Sequence, residues 1–335
     1  MCPHHRFFPL VGQQEFRDLM RDVQSTRLHA FARGTYSNLR TQFRCYFGFC
    51  VYFDINPLPA TIHIMCGYVQ FLSRSITPPS IKNYLSGVKM LHIFLGYEYT
   101  FTDDFHLRLT IRGMERIHQH VPRRAKPITP AILLSIQKLS TSFNSLQHTV
   151  FACGLFLFFS MARAGSILPA SRNTPIHKYL TRDRVNIFNQ GILITLVHTK
   201  TIQFGRRRLH IPLLSSPSPL CPVAAFLSSS SLLPCHQATP AFVFMDRGRI
   251  KWLTQSIFIH VFRQLISRAG IPDASGFTGH SFRRGGASWA FQAGMPGELI
   301  QICGDWSSDA YKKYLEFSMQ NRVSLAALLM RDLPC

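Results

Sequence analysis

A chain of 335 residues, 46% of them hydrophobic, has enough apolar side chain for one large core or two ordinary ones, which excludes a disordered tail. Lys and Arg outnumber Asp and Glu by 37 to 16, a formal charge of +21 that points to a polyanionic partner, nucleic acid before anionic membrane. The excess is spread along the chain: residues 1–126 hold 16 basic and 8 acidic side chains and residues 127–335 hold 21 and 8, so both parts are able to touch one long anion.

Taken in chain order, the N-terminal part reads as helical. From Ser37, apolar residues recur at Leu39, Phe43, Phe47 and Cys50, close to helical period, with Arg40 and Arg44 on the polar side. Thr77-Pro78-Pro79-Ser80 opens another predicted helix with an apolar face of Ile81, Tyr84, Leu85, Val88, Phe94 and Leu95, and with Lys82 and Lys89 facing away. Residues 121–127, inside the polar, basic, proline-bracketed run His118–Pro127, read as an extended linker carrying Arg123 and Arg124. The expected division is a helical domain at 1–120 and a second domain at 128–335.

The second part opens on Ile128-Thr129-Pro130, a helix cap followed by a first-turn proline. Helices are predicted at about 130–140 and 146–162. A strand follows over Gly191–Thr199, a turn at Gln203-Phe204-Gly205, and a returning strand over Arg206–Pro212 that sets Arg206, Arg208 and His210 on one face. Helical patterns resume at about 252–269, 281–293, 296–303 and 307–329. The expected fold class is mainly α with a small antiparallel β-sheet.

The nine cysteines are scattered and lie mostly in apolar surroundings such as Phe151-Ala152-Cys153-Gly154, which fits reduced thiols and an intracellular location. Cys45 and Cys50 lack a second Cys/His pair at finger spacing, and Cys2-Pro3-His4-His5 is likewise unpartnered, so no metal site is expected. No apolar stretch follows a basic start, so no signal peptide is read. The longest apolar run, Val150–Phe159, is too short to span a bilayer and reads as a buried helix, so no membrane is expected as a partner.

Breaking a phosphodiester without a metal requires a nucleophile at phosphorus, positive donors on the two non-bridging oxygens, and an acid for the leaving oxygen. The C-terminal part offers candidates for these roles, His280, Arg283, Trp306, Tyr311 and Tyr314 among them. Its 8 acidic residues are dispersed, and no apolar strand carries two together, which argues against two-metal nuclease chemistry. His280 and Arg283 stand one helical turn apart and are able to converge on one phosphate. Arg206, Arg207 and Arg208 read as phosphate-backbone contacts or as a solvated strand, and Arg284 points away from the His280–Arg283 face, to DNA or solvent.

This ordered set resembles the tyrosine recombinases, the phage-integrase-type enzymes, and in particular those of eukaryotic mobile elements of the DIRS-like and Crypton-like kinds. The motif of that family is an Arg, a Lys on a β-hairpin, His-x-x-Arg, then His or Trp, then Tyr. Here these are Arg163 in Ser160-Met161-Ala162-Arg163-Ala164-Gly165-Ser166, Lys200 in His198-Thr199-Lys200-Thr201, His280-Ser281-Phe282-Arg283, Trp306 in Gly304-Asp305-Trp306-Ser307, and Tyr314, with Tyr311 one turn earlier as the competing nucleophile. The likeness covers nearly the whole chain, since the N-terminal helical part also looks like the family's core-binding domain. Two departures stand out: Ser166 occupies a position usually acidic, and the Trp306–Tyr314 gap is one residue shorter than in many bacterial relatives.

The resemblance implies strand cleavage through a 3′-phosphotyrosine, needing neither cofactor nor ATP. Arg163 and Arg283 would stabilise charge on phosphorus, Lys200 would protonate the leaving oxygen, His280 would assist proton transfer, and Trp306 would buttress the phosphate. It also implies two domains clamping double-stranded DNA, four protomers joining two DNA sites, and a nuclear location if the source is eukaryotic. The remaining basic residues expected to contact DNA are Arg40, Arg44, Lys82, Lys89, Arg123, Arg124, Arg206, Arg208 and Arg284. The apolar stretch Met319–Asp332, with Val323, Leu325, Ala326, Leu328 and Leu329, would dock on a neighbour or on its own domain. Two rival readings are a domesticated DNA-binding protein without catalysis and a type IB topoisomerase, which shares the chemistry but does not exchange strands between two sites.

Overall fold

The computed structural model describes residues 12–121, 124–315 and 319–330. The chain divides into two compact units, Met1–Pro122 and Arg123–Cys335.

Among the described residues, the first unit contains five α-helices: α1 (Gly12–Leu28), α2 (Arg33–Tyr52), α3 (Ile62–Ser73), α4 (Pro78–Phe94) and α5 (Phe105–His118). Local chemistry starts three of them. The Thr61 hydroxyl accepts the Ile64 N–H at α3, the Asp104 carboxylate accepts the Leu107 N–H at α5, and Pro78 pre-sets the first turn of α4. Tyr46, Phe49, Met65, Tyr68, Val69, Ile81, Val88 and Met114 fill the core. On α4 the buried stripe is Ile81, Leu85, Val88, Leu91 and His92, whereas Phe94 and Leu95 are exposed. The expected face is correct for two turns and then departs from the 3.6-residue period, which Phe94 does not follow. His92 takes its place inside, accepting the Ala60 N–H on Nε2 at 2.9 Å and donating from Nδ1 to the Val88 carbonyl at 2.8 Å.

The second unit is built on α7 (Ser145–Ser160), which follows α6 (Pro130–Gln137). Asn144 and Gln147 form a reciprocal cap at the start of α7, and every residue from Thr149 to Phe158 is buried. A helix apolar all round has to lie inside a domain, and the rest of the unit packs about this one. The chain continues through α8 (Ala164–Ile167), β1 (Val185–Phe188), β2 (Gly191–Leu196), β3 (Leu209–Leu214), α9 (Pro222–Leu227), β4 (Val243–Asp246), β5 (Arg249–Trp252), α10 (Gln255–Arg268), α11 (Gly279–Gln292) and α12 (Gly297–Cys303). A six-residue 3₁₀ segment, Asp309–Tyr314, and α13 (Met319–Met330) complete the described chain.

The fold is mainly helical, as expected, but the strands among the described residues form two antiparallel groups: a three-stranded sheet in the order β1-β2-β3 and a separate β4-β5 hairpin. The predicted strand over Gly191–Thr199 stops at Leu196, and its partner begins at Leu209 rather than Arg206. Arg206 and Arg208 therefore lie in the 197–208 loop and do not share a strand face with His210. The predicted helix over 307–329 is likewise two elements, and Tyr314 ends a 3₁₀ segment. Residues three apart eclipse in that geometry, which sets Tyr311 and Tyr314 on one face.

The pair Gly285-Gly286 explains how α11 lies so close to its neighbours. A Cβ on Gly285 would stand 1.9 Å from the Ile128 carbonyl oxygen, and one on Gly286 would stand 2.1 Å from that of Phe158. Gly285→Ala is expected to destabilise the protein by about 1–3 kcal/mol, read from urea denaturation, because backbone rather than a flexible side chain would have to move. An unchanged midpoint would mean that the helix shifts freely.

Candidate active site

Arg163 is placed by the end of α7. Met161 leaves the helix in the left-handed conformation (φ 49°), with the Ser160 hydroxyl accepting the Ala162 N–H at 3.2 Å, and Arg163 becomes the residue before the first turn of α8. Its side chain is half-buried. Ser166, three residues on, is buried and donates its N–H to the Arg163 carbonyl at 2.8 Å.

His280 and Arg283 are placed by the start of α11. The Thr278 hydroxyl accepts the His280 N–H at 3.2 Å, and the Ser281 hydroxyl accepts the Thr278 N–H at 2.9 Å. His280 thus sits in the first turn at the surface, with Arg283 one turn deeper.

Arg283 is 2% exposed. One Nη donates to the Met161 carbonyl, and the guanidinium carbon lies over the Trp306 ring, 3.7 Å from its centroid. Nε and the other Nη are buried and have no hydrogen-bond partner among the described residues. Burial first, and then the field of Arg163, push its pKa down to about 9, with Tyr314 and Asp305 pulling the other way. It remains protonated at neutral pH. The same positive groups act on His280, whose pKa is pushed below the ordinary histidine value by partial desolvation of its ring and then by Arg163, Arg283 and Lys200. A buried cation with two unmet donors, near other basic side chains, is suited to an anion.

Trp306 is buried, and its ring fills the space over Gly304, where a Cβ would stand 1.7 Å from the indole. It packs against both tyrosines, with ring centroids 6.2 Å from Tyr311 and 5.7 Å from Tyr314. The two tyrosines differ. Tyr311 is 5% exposed, with its hydroxyl against Gly297, at 2.6 Å from the position a Cβ there would take. Tyr314 is half-buried, its main-chain carbonyl accepts the Ser288 hydroxyl at 2.7 Å, and it lies within electrostatic reach of Arg283.

The structure thus links Arg163, His280, Arg283, Trp306 and Tyr314 by electrostatic or packing contacts, and Lys200 through its field at His280, all in the second unit. Sequence reasoning did not anticipate Asp305, whose carboxylate accepts hydrogen bonds from Thr201 and Arg207 and lies 3.5 Å from the Thr199 hydroxyl. The signal was present: an acid set directly before Trp306, in a part of the chain with 8 acids against 21 bases.

The other basic residues are distributed as follows. Arg40, Arg44, Arg124, Arg206 and Arg208 are exposed, with the Arg206 guanidinium 5.8 Å from the Phe204 ring. Lys82 is exposed and ion-paired with Glu115 at 2.7 Å, while half-buried Lys89 donates to Thr102 at 3.0 Å. Arg284 departs from the solvent-facing expectation: it is 9% exposed and donates to the Ala125 carbonyl at 3.3 Å. The cause is the close seating of α11 through Gly285, which brings its neighbour against the 124–128 segment. Arg123, Cys2-Pro3-His4-His5 and Asp332 lie outside the described residues, as do the side chains of Leu325, Leu328 and Leu329; Val323 and Ala326 on α13 are exposed. The described cysteines are free thiols. Among the described residues, no helix is long and apolar enough to cross a membrane.

No protein-family model and no curated protein matches this sequence. Solved structures do. The Tn1549 transposon integrase in complex with transposon right end DNA is 13% identical, with a TM-score of 0.60 over 92% of this chain and 98% of that one. A lambda integrase dimer bound to a COC′ core site is 15% identical, with a TM-score of 0.57 over 90% and 95%. A lambda integrase tetramer bound to a Holliday junction is 14% identical, with a TM-score of 0.56 over 93% and 82%. The chain therefore has the fold of the tyrosine recombinases, as the order and spacing of its candidate residues led one to expect.

Proposed function

We propose that this chain is a site-specific DNA recombinase that cleaves and rejoins strands through a 3′-phosphotyrosine on Tyr314, in the integration or excision of a eukaryotic mobile element of the DIRS-like or Crypton-like kind. One observation carries the reading: Arg283 is buried on Trp306 with two unmet donors, next to Arg163 and His280 and one half-buried tyrosine. A phosphodiester satisfies those donors and the charge together.

In the reaction, the Tyr314 hydroxyl oxygen attacks phosphorus, the bond to the 5′ oxygen breaks, and the new phosphotyrosine retains the energy of the phosphodiester. Arg163 and Arg283 hold the non-bridging oxygens as charge builds in the trigonal-bipyramidal transition state. The Lys200 ammonium gives a proton to the departing 5′ oxygen. Neutral His280 takes up the proton that Tyr314 releases. Attack by a 5′-hydroxyl from a partner strand reverses each transfer and requires no ATP. The basic residues of the helical unit, Arg40 and Arg44 among them, extend the grip on duplex DNA. Four protomers acting on two sites complete strand exchange, a reading supported by the tetrameric lambda integrase structure.

The test is a denaturing gel of the wild-type protein with nicked duplexes from the DNA flanking its gene, in EDTA. A protein–DNA band that resists denaturation is expected. Tight binding without such a band would favour a DNA-binding protein that does no chemistry. The site also predicts a titration. An anion seated on Arg283 offsets the positive fields at His280 and stabilises its protonated form, so the pKa should rise. NMR of the His280 ring in Tyr314→Phe, with and without bound duplex, is expected to show an upward shift. No shift, or a downward one, would place the phosphate elsewhere.

A further inference from the structure

Lys200 is exposed on the 197–208 loop, between the last residue of β2 and the first of β3. Strand pairing ends four residues before it, so the sheet alone does not fix the direction of the ammonium group. A small hydrogen-bonded turn does part of the work. The Thr199 hydroxyl accepts the backbone N–H groups of Thr201 and Ile202, each at 3.1 Å, and Ile202 is buried as an anchor. That turn is in turn tied to one carboxylate. Asp305 Oδ2 accepts the Thr201 hydroxyl and lies 3.5 Å from that of Thr199, while Oδ1 accepts an Nη–H of Arg207.

Asp305 is well placed for this. Its side chain is 11% exposed, against 51% for Arg207, so water screens the pair on one side only. Its backbone is left-handed (φ 55°), a conformation that Asp and Asn adopt far more readily than most residues. It directly precedes Trp306, on which Arg283 lies. It also lines, with Arg163, Ser166, Thr199 and Arg283, a narrow gap at the centre of the site. The acid missing at Ser166 is thus supplied to the same gap from another element.

We propose that Asp305 is a positioning residue: its carboxylate clasps the Lys200 loop to the Trp306 segment and so aims the lysine at the leaving oxygen. The inference rests on the reading of the site as a strand-cleaving centre in which Lys200 is the acid.

Cleavage of two nicked duplexes from the DNA flanking the gene tests it. One carries the ordinary scissile phosphate. In the other, sulfur replaces the 5′ bridging oxygen. A thiolate leaves without being protonated, so that substrate does not need Lys200. Wild type, Lys200→Ala, Asp305→Asn and Arg207→Ala are compared on both. Asp305→Asn keeps a residue suited to the left-handed backbone, and Arg207→Ala alters an exposed side chain, so the fold is retained. On the ordinary substrate, Lys200→Ala is expected to lose about 100-fold or more and Asp305→Asn about 10-fold or more, with Arg207→Ala losing less. On the sulfur substrate all three should return to within about threefold of wild type. If Asp305→Asn cleaves the ordinary substrate normally, or stays slow on sulfur while Lys200→Ala is rescued, Asp305 does not act through Lys200 and the inference is overturned. If wild type forms no adduct on either substrate, the strand-cleaving reading itself fails, and the inference with it.

Discussion

Tyr314→Phe is expected to abolish covalent capture of DNA while leaving DNA affinity within about twofold of wild type, since only one hydroxyl is removed. The substitution retains the ring that packs 5.7 Å from Trp306. It also leaves the Ser288 hydrogen bond untouched, because that bond ends on the main-chain carbonyl. Fold and binding surface should therefore be unchanged, and the loss is chemical. Tyr311→Phe provides the contrast. Its hydroxyl is packed against Gly297 inside a small cluster with Met161, Ala287, Ile300 and Trp306. Removing it should cost on the order of 1 kcal/mol of stability and leave the adduct in place. A gel in which Tyr311→Phe loses the adduct and Tyr314→Phe retains it would reverse the assignment.

Arg283→Met separates what the site does from what holds the domain together. The side chain keeps its volume and its contact with Trp306 but loses the charge. Transition-state stabilisation should fall, slowing cleavage by about 10²–10³-fold, the scale seen when one preorganised donor is removed from a developing charge. Stability should not fall with it. Burial already pushes the Arg283 pKa down, and two of its donors are unmet, so the folded free protein carries the guanidinium at a cost. The thermal midpoint of Arg283→Met without DNA is expected to be no lower than that of wild type. Adding duplex should raise the midpoint of wild type more than that of the variant, because binding relieves that cost in wild type alone. A midpoint several degrees lower would make Arg283 a structural residue first.

How far the sequence foretold these features depended on what fixed each one. The buried helix α7 was legible because Val150–Phe158 is apolar on every face, which only a domain interior accommodates. The order Arg163, Lys200, His280, Arg283, Trp306, Tyr314 was legible as a pattern of residue types, and the structure gathers it in one place. The strands were harder. β1 is four residues long and largely exposed, so it shows no alternation of buried and open positions. The β4-β5 hairpin turns on Arg247-Gly248, both at positive φ, and an arginine in that place does not announce a turn as Asn or Asp would. The extent of the Lys200 loop was misjudged because the alternating pattern runs past Leu196, whereas the Thr199 turn and Asp305 draw residues 199–202 out of the sheet. Arg284 was misjudged for a similar reason, since its burial follows from a contact between Gly285 and Ile128 that are 157 positions apart. Asp305 itself acts through residues about a hundred positions away, a relation that no local pattern contains.

Peptide mapping of the covalent complex identifies directly which oxygen attacks phosphorus. The covalent complex is digested with nuclease and then with trypsin, and the peptide carrying the nucleotide remnant is identified by mass spectrometry. Lys312 and Lys313 lie between the two tyrosines, so Tyr311 and Tyr314 fall in different peptides. The remnant is expected on the peptide that contains Tyr314 and Leu315. A remnant on the peptide ending at Lys312, or on any peptide without Tyr314, would contradict the account.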